Sequence, residues 1–304
     1  MKIQKRSRTC LCISAAIMLV ALIMTICGYG INYGIDFAGG LNLQYDMGST
    51  YDKADVEEAL KAQGIEEFVV SSVGSEGTAV QIRVPTLSDE DEVQNLQNGL
   101  ETTLLEKYPN MDTDNATASY VGPVAGATLV RNAIFSVLIA AVLMLIYIAF
   151  RFDLFSGVAA VAGLLHDVLI MISFMVILRN VIQMNSSFIA AMLTIVGYSI
   201  NNTIVIFDRI RENNKKPALA GQPRSEIVEL SVKESLGRTI NTTLTTLVTI
   251  VTLYILGVAS IREFSLPIII GILAGAYSAN LINGYVWAAL EDARLARKSQ
   301  KKAA

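Results

Sequence analysis

Charge is scarce in this sequence. Only 17% of its 304 residues are charged, against about 25% in a typical soluble domain. With a mean hydropathy of +0.48, this argues against a simple cytosolic enzyme. Histidine occurs once, as His166, so a histidine-rich metal site is excluded. The three cysteines, Cys10, Cys12 and Cys27, all lie in the first apolar run, which leaves no disulfide framework for a soluble domain. Cys10 and Cys12 are too close in sequence for a usual metal pair, and apolar filler is their expected role. The net charge of −3 is too near neutral for electrostatic binding of nucleic acid.

The charge that exists is unevenly placed. Residues 32–130 hold 17 acidic and 4 basic side chains, whereas the rest of the chain holds 10 acidic and 20 basic. Uncharged stretches cover 9–35, 132–150, 180–207, 239–261 and 264–290. A sixth apolar run, 154–178, is broken only by His166 and Asp167. Each supplies the roughly 20 residues that a helix needs to cross a bilayer. The expectation is a polytopic α-helical membrane protein with six transmembrane helices and one α+β domain between the first and second.

Lys2, Lys5, Arg6 and Arg8 precede the first span and place the N-terminus in the cytoplasm by the positive-inside rule. Six crossings return the C-terminus to the same side, where Arg294, Arg297, Lys298, Lys301 and Lys302 sit. The turn at Arg151-Phe152-Asp153 and the basic stretch 208–238 are then cytoplasmic too. This arrangement puts 17 basic residues inside and 7 outside. It divides the chain into a cytoplasmic N-terminus with helix one (1–33), an exported α+β domain (34–130), helices two to six with a cytoplasmic loop at 208–238 (131–290), and a basic cytoplasmic tail (291–304). The first span is expected to remain as an anchor, because its apolar stretch exceeds a signal-peptide core and no small-x-small cleavage site follows it.

Within the acidic domain the periodicity changes in a readable order. Leu41 to Tyr45 alternates as a strand. Asp52 to Gln63 has helical spacing and ends at Gly64, a suitable C-cap. Phe68-Val69-Val70 and Val80 to Val84 read as strands around the turn at Gly74-Ser75-Glu76-Gly77. Ser88 is placed to cap a second helix running to Tyr108, with Asp89 to Glu92 at its positive end. Ala116 to Val121 gives the last strand. The order β-α-β-β-α-β is that of a ferredoxin-like split unit. The domain has no His, no Cys and no glycine-rich phosphate loop, so no cofactor or metal is expected. Its acid runs, Glu57-Glu58 and Asp89 to Glu92, read as solvated helix faces and caps rather than calcium sites.

Ionisable groups at bilayer depth are the sharpest functional signals, since each costs about 2.5–3.5 kcal/mol to insert. His166 and Asp167 occupy the middle of the third span. As neighbours about 100° apart on a helix, they are expected not to face one another. Two roles stand open for Asp167, an ion-coupling group or a structural hydrogen-bond acceptor. In the fourth span Thr194, Gly197, Tyr198, Asn201 and Asp208 share one face, with Ser199 and Asn202 beside it. In the fifth, Asn241, Thr242, Thr245, Thr246 and Thr249 form a stripe suited to contacts between helices. In the sixth, Gly271, Gly275 and Ala279 form a small-residue ridge, followed by Asn280 and Asn283. These faces describe a bundle with a polar interior and no nucleophile, base and orienter set, so no catalytic activity is expected.

Several ordered motifs accompany this pattern: Gly34-Ile35-Asp36-Phe37-Ala38-Gly39-Gly40, Val121 to Gly126, His166-Asp167-Val168, the long run from Gly197-Tyr198 through Asp208-Arg209 to Asn213, and Ser235 to Thr243 around Arg238. Together they resemble the SecD/SecF family of the resistance-nodulation-division superfamily, over nearly the whole chain. The resemblance implies a six-helix half that pairs with a SecD-like subunit beside the SecY-SecE-SecG channel. It further implies use of the proton (or sodium) motive force to assist late steps in the export of protein substrates across the cytoplasmic membrane. Asp167, His166, Asn201, Asn202 and Arg238 become candidates for ion coupling. Asp36, Gly39, Gly40, Gly197, Tyr198, Asp208 and Arg209 become motif positions. Asn202 departs from the pattern, since the family often has Asp there and an amide cannot carry a proton. Oxygens of Asn201, Asn202 and Thr203 would offer a sodium ion an alternative. The other reading is half of a small-molecule or lipid exporter of the same superfamily, for which a domain of this size is small.

Overall fold

A computed structural model describes residues 3–73, 77–85, 89–152 and 154–303. In chain order its elements are α1 (Ile3–Ile26), α2 (Ile35–Ala38), β1 (Gly40–Asp46), α3 (Lys53–Ala62), β2 (Val69–Val73), β3 (Ala79–Val84), α4 (Glu90–Lys107), β4 (Asp112–Val121), α5 (Pro123–Arg151), α6 (Leu154–Ile177), α7 (Ser186–Asn213), α8 (Arg224–Leu256), α9 (Ala259–Ser278) and α10 (Gly284–Ala303). They fall into two compact units. One is Tyr33–Ile134 with Met184–Ser186; the other holds Phe135–Gln183, Ser187–Ala304 and the chain up to Asn32.

In the first unit four strands form one sheet in the order β2-β3-β1-β4, every neighbouring pair antiparallel. Alternation decides which face is buried. Leu41, Leu43 and Tyr45 on β1 and Val80, Ile82 and Val84 on β3 point to one side, where Val56 and Leu60 of α3 and Leu96, Leu100 and Leu104 of α4 cover them. Each such large side chain contributes about 1.5–3 kcal/mol by leaving water. Asp52 starts α3 by accepting the Ala54 N–H at 3.0 Å. Gly64, at φ +81°, ends it: its N–H reaches the Lys61 carbonyl while Ile65 N–H reaches Leu60. β4 begins at Asp112, earlier than the expected Ala116, because pairing with β1 resumes at Asp46–Asp112 past an irregularity. Asp89 occupies the N-cap position of α4; Ser88 and the turn residues 74–76 lie outside the described residues.

Asp55 ties α3 to the end of α4. Lys107 Nζ and the Tyr108 hydroxyl each donate to its carboxylate at 2.5 Å, and these bonds hold its pKa below the ordinary carboxylate value. A depressed folded pKa means the stabilisation is complete above the unfolded pKa and is lost as pH falls through the folded one. Lys107→Met is therefore expected to move the Asp55 titration upward, read by carboxyl 13C shifts, and to weaken the domain at neutral pH, where Asp55 is ionised, with the difference from the wild type fading in acid.

The second unit contains the rest of the long helices. Six stretches are long and apolar enough to cross a membrane: Ser7–Ile26, Ala125–Ile148, Phe155–Ile177, Ser186–Asn213, Arg224–Leu256 and Ser260–Arg297. Three expected boundaries move. The first helix stops at Ile26 although its apolar run continues to residue 35, because Gly28 turns the chain at φ +87°. The stretch 208–238 is mostly helix rather than loop: α7 continues to Asn213, α8 begins at Arg224, and only residues 214–223 connect them. Val228 and Val232 pack on Phe207 and Ile210 in the main core, and Arg209 bridges to Glu234 at 2.6 Å, so both helix ends have a reason to stay ordered. Likewise the basic tail is a continuation of α10. Between α9 and α10, Ala279–Asn283 forms a wide π-helical turn, a feature that often marks functional positions.

Candidate functional site

Asp167 is completely buried in the helical unit and none of its partners is cationic by default. Its Oδ2 accepts hydrogen bonds from the hydroxyls of Ser199 on α7 and of Ser278 on α9, the latter at 2.9 Å. Its Oδ1 lies 2.9 Å from His166 Nδ1 on the same helix. The other imidazole nitrogen, Nε2, lies 2.7 Å from the Ser14 hydroxyl on α1. The Tyr277 ring stacks on the imidazole at 6.1 Å between centroids, and its hydroxyl donates to the Cys10 carbonyl at 2.6 Å. Four helices thus converge on the His166–Asp167 pair.

Two expectations change here. His166 and Asp167 do meet, although their Cα–Cβ vectors diverge, because rotation about χ1 and χ2 turns one carboxylate oxygen back along the helix while the other reaches α7 and α9. A nucleophile-base-orienter order also exists: Ser14, His166 and Asp167 lie in line. The backbone N–H groups around Ser14, in mid-helix, are committed to carbonyls one turn back and are not free to stabilise an oxyanion. The arrangement suits passage of a proton between hydrogen-bonded groups.

The polar faces sort differently from the sequence pattern. On α7, Ile195, Val196, Ile200, Ile206 and Phe207 draw one side into the core, carrying Ser199, Asn202 and Thr203 with them. Thr194 and Asn201 are exposed, and Gly197 faces open space. Asn201 and Asn202 therefore diverge, and Thr203 donates to the Ser199 carbonyl at 3.1 Å while accepting from Asn283 Nδ2 at 2.9 Å. The unpartnered buried atom of Asn202 is its Nδ2, a donor that would repel a cation. On α8 the threonine stripe serves its own helix: Thr242, Thr245, Thr246 and Thr249 donate to carbonyls one turn back. Outside that stripe, the Thr239 hydroxyl reaches across to Asn280 Oδ1 at 3.2 Å. Arg238 is exposed and has no side-chain partner among the described residues.

The small-residue ridge does pack closely. A Cβ on Gly271 would overlap Ile195, and one on Gly275 would lie 3.1 Å from Ser199 Cβ, so this ridge brings α9 close enough for Ser278 to reach Asp167. Asp208 pairs with Arg151 at 3.0 Å, and Arg209 with Glu212 and Glu234 at 2.6 Å.

The first glycine motif has its own role in the sheet-bearing unit. Gly39 (φ +78°) ends α2, and Gly40 (φ +110°) lies against the Val84 carbonyl. The Asp36 carboxylate accepts the Ser186 N–H at 2.7 Å, at the first residue of α7, while Gly126 packs on the backbone of Asp36, Phe37 and Gly39. Asp36→Ala is expected to remove this cap and lower stability by about 0.5–2 kcal/mol, measured by thermal unfolding, with Asp36→Asn retaining most of it.

Residues 101–293 match the family model described as protein export membrane protein SecD/SecF, C-terminal. The chain belongs to the SecD/SecF family. A Rickettsia bellii protein named protein translocase subunit SecF is 35% identical over 255 residues, covering 84% of this chain and 82% of its own length. A Bacillus subtilis protein named protein translocase subunit SecDF is 34% identical, covering 94% of this chain but 38% of that longer protein. Among solved structures, the chain is similar to SecDF from Thermus thermophilus, described as a translocon-associated membrane protein, with TM-score 0.81 and 33% identity over 96% of this chain and 39% of that one. A SecDF structure in a super-membrane-facing form gives TM-score 0.67 at 31% identity. Six apolar helices and this SecD/SecF membership together make it a multi-pass membrane protein.

Sequence reasoning did not single out Ser14 for a role. The signal was present, a hydroxyl in an otherwise apolar stretch between Ile13 and Ala15. What it lacked was the pairing of α1 with α6, which no local pattern encodes.

Proposed function

We propose that this chain is an accessory subunit of a protein translocase that couples an ion gradient to late steps of protein export across the cytoplasmic membrane. The observation that carries the reading is Asp167, a carboxylate with no exposed surface, held at bilayer depth by groups from three neighbouring helices. Its insertion cost of about 2.5–3.5 kcal/mol favours a working group. The membrane potential supplies about 2.3 kcal/mol per elementary charge for each 100 mV, enough to drive a rearrangement around such a site. A SecD-like partner would cover the outward polar face of α7 at Thr194 and Asn201 and supply an acid to Arg238. The family motif positions Gly197 and Tyr198 would belong to the same contact. The sheet-bearing unit would lie outside, handling protein emerging from a SecY-SecE-SecG channel, with both termini in the cytoplasm.

The test is depletion of the chain in cells followed by pulse-labelling of secreted precursors. Accumulation of unprocessed precursor is the expected result; unchanged export kinetics would end the proposal.

A further inference from the structure

The geometry points to His166 and Asp167 holding the coupling proton as one unit, loaded and unloaded at His166 Nε2 through the Ser14 hydroxyl of α1. This rests on the ion-coupled reading above and adds to it the identity of the carrier, its exchangeable atom and its route. The argument begins with what each oxygen of Asp167 faces. Two serine hydroxyls donate to Oδ2, so that oxygen serves as an acceptor. Oδ1 faces Nδ1, which places the fixed imidazole hydrogen on Nδ1. Only Nε2 is left to gain or lose a proton, and the group facing it is Ser14, itself buried.

Charge bookkeeping at the site supports this. With a proton on Nε2, the imidazolium and carboxylate sum to zero. Without it, one negative charge remains in an apolar interior, which is costly unless compensated. No lysine, arginine or second acid among the described residues bonds to the cluster. The titratable groups nearest it on the elements packed around it are Arg8, Cys10 and Cys12 on α1, Tyr198 on α7, Tyr277 on α9 and Tyr285 on α10; α7 meets the carboxylate itself with Ser199, and its charged residues begin only at Asp208. Arg294 of α10 lies over Phe155, about 16 Å along α6 from His166.

The proton balance is simple. In the unloaded state Ser14 donates to the bare Nε2. When a proton is added at Nε2, Nε2–H donates to the Ser14 oxygen, and the hydroxyl hydrogen must turn elsewhere. The nearest backbone acceptor one turn back is the Cys10 carbonyl, which already receives the Tyr277 hydroxyl. The Tyr277 oxygen is also within hydrogen-bond reach of the Ser14 hydroxyl, so either acceptor draws the displaced hydrogen into the contact between α1 and α9, which gives the proton a mechanical consequence. Asn202, whose amide cannot titrate, has no part in this route.

Because His166 is the chain's only histidine, 15N-histidine labelling of the full chain in lipid nanodiscs reports one site. The proton gained and lost as pH changes is expected at Nε2, with Nδ1 carrying its hydrogen in both states. Ser14→Ala removes the group that faces Nε2 and should displace the midpoint of the Nε2 response. Ser14→Thr should restore it, and the pH profile of precursor export should shift in step. A neutral form protonated at Nε2, or a midpoint and export profile unchanged in Ser14→Ala, would overturn the assignment. If depletion of the chain leaves export unaffected while the Nε2 titration behaves as expected, the export reading fails, and the coupling assignment with it, while Nε2 stays the titrating atom.

Discussion

Replacing Asp167 by asparagine is expected to reduce precursor export to the level of depleted cells while the protein still folds. The amide keeps the size of the side chain and one oxygen for the Ser199 and Ser278 hydroxyls. Its NH2 group then meets His166, where the acid had an acceptor. The histidine must present a bare Nδ1, its hydrogen moves to Nε2, and the site loses its negative charge. Asp167→Ala should behave differently. It leaves the Ser199 hydroxyl and an imidazole N–H buried without that acceptor, at about 1–3 kcal/mol each, while Ser278 keeps the Gly275 carbonyl at 3.3 Å. Against a total stability of about 5–15 kcal/mol, that variant is expected to lose several degrees to tens of degrees in thermal unfolding and to accumulate poorly. Export at the wild-type rate in Asp167→Asn would make the carboxylate a structural acceptor only.

Gly163→Ala is expected to be among the most disruptive single-methyl changes in the helical unit. A Cβ at this position of α6 would overlap all three terminal atoms of the Asn283 amide. Asn283 has no room to retreat: it is 1% exposed, and its Nδ2 is bonded to Thr203 at 2.9 Å. Either that bond breaks or α6 moves away from the wide turn at Ala279–Asn283. Overpacking of this kind costs about 1–3 kcal/mol, and a stranded Asn283 amide adds to it. Thermal unfolding in detergent measures the loss. Asn283→Ala placed in the same chain should recover part of it, because the clash disappears, and the double-mutant cycle should show a coupling of about 1 kcal/mol or more. Additive effects would mean the two residues do not share the space.

The first of these predictions was partly legible in the sequence and the second was not. An acid inside an apolar run is visible without coordinates, and Asp167 stands out for the same reason that it is expensive to insert. Its environment was not visible. Ser199 and Ser278 lie far from it along the chain, and Ser14 further still. Gly163 carries no mark that separates it from the neighbouring alanines of α6; the need for glycine comes from Asn283 arriving across the bundle.

The polar stripes make the same point in the opposite direction. Spacing correctly grouped Thr194, Gly197, Tyr198 and Asn201 on one face of α7, and Asn241 with its following threonines on α8. Periodicity states which residues share a face but not which way the face points. Here the apolar residues on the far side of α7 won the interior, and threonine hydroxyls on α8 found acceptors in their own helix. The face expected to line the bundle is open at Thr194 and Asn201, while the Tyr198 hydroxyl on it is buried.

By itself the sequence determined the number of long apolar helices, the presence of one small β-α-β-β-α-β unit, and the uneven division of charge between that unit and the rest of the chain. Each of these depends on local periodicity or on counts, which a linear string carries in full. Tertiary structure alone decided that His166 meets Asp167, that Ser14 faces the imidazole, and that Asn202 and Asn201 part company. Those outcomes depend on side-chain rotation and on which helices become neighbours. Packing over the whole bundle settles both, after every local preference has been satisfied.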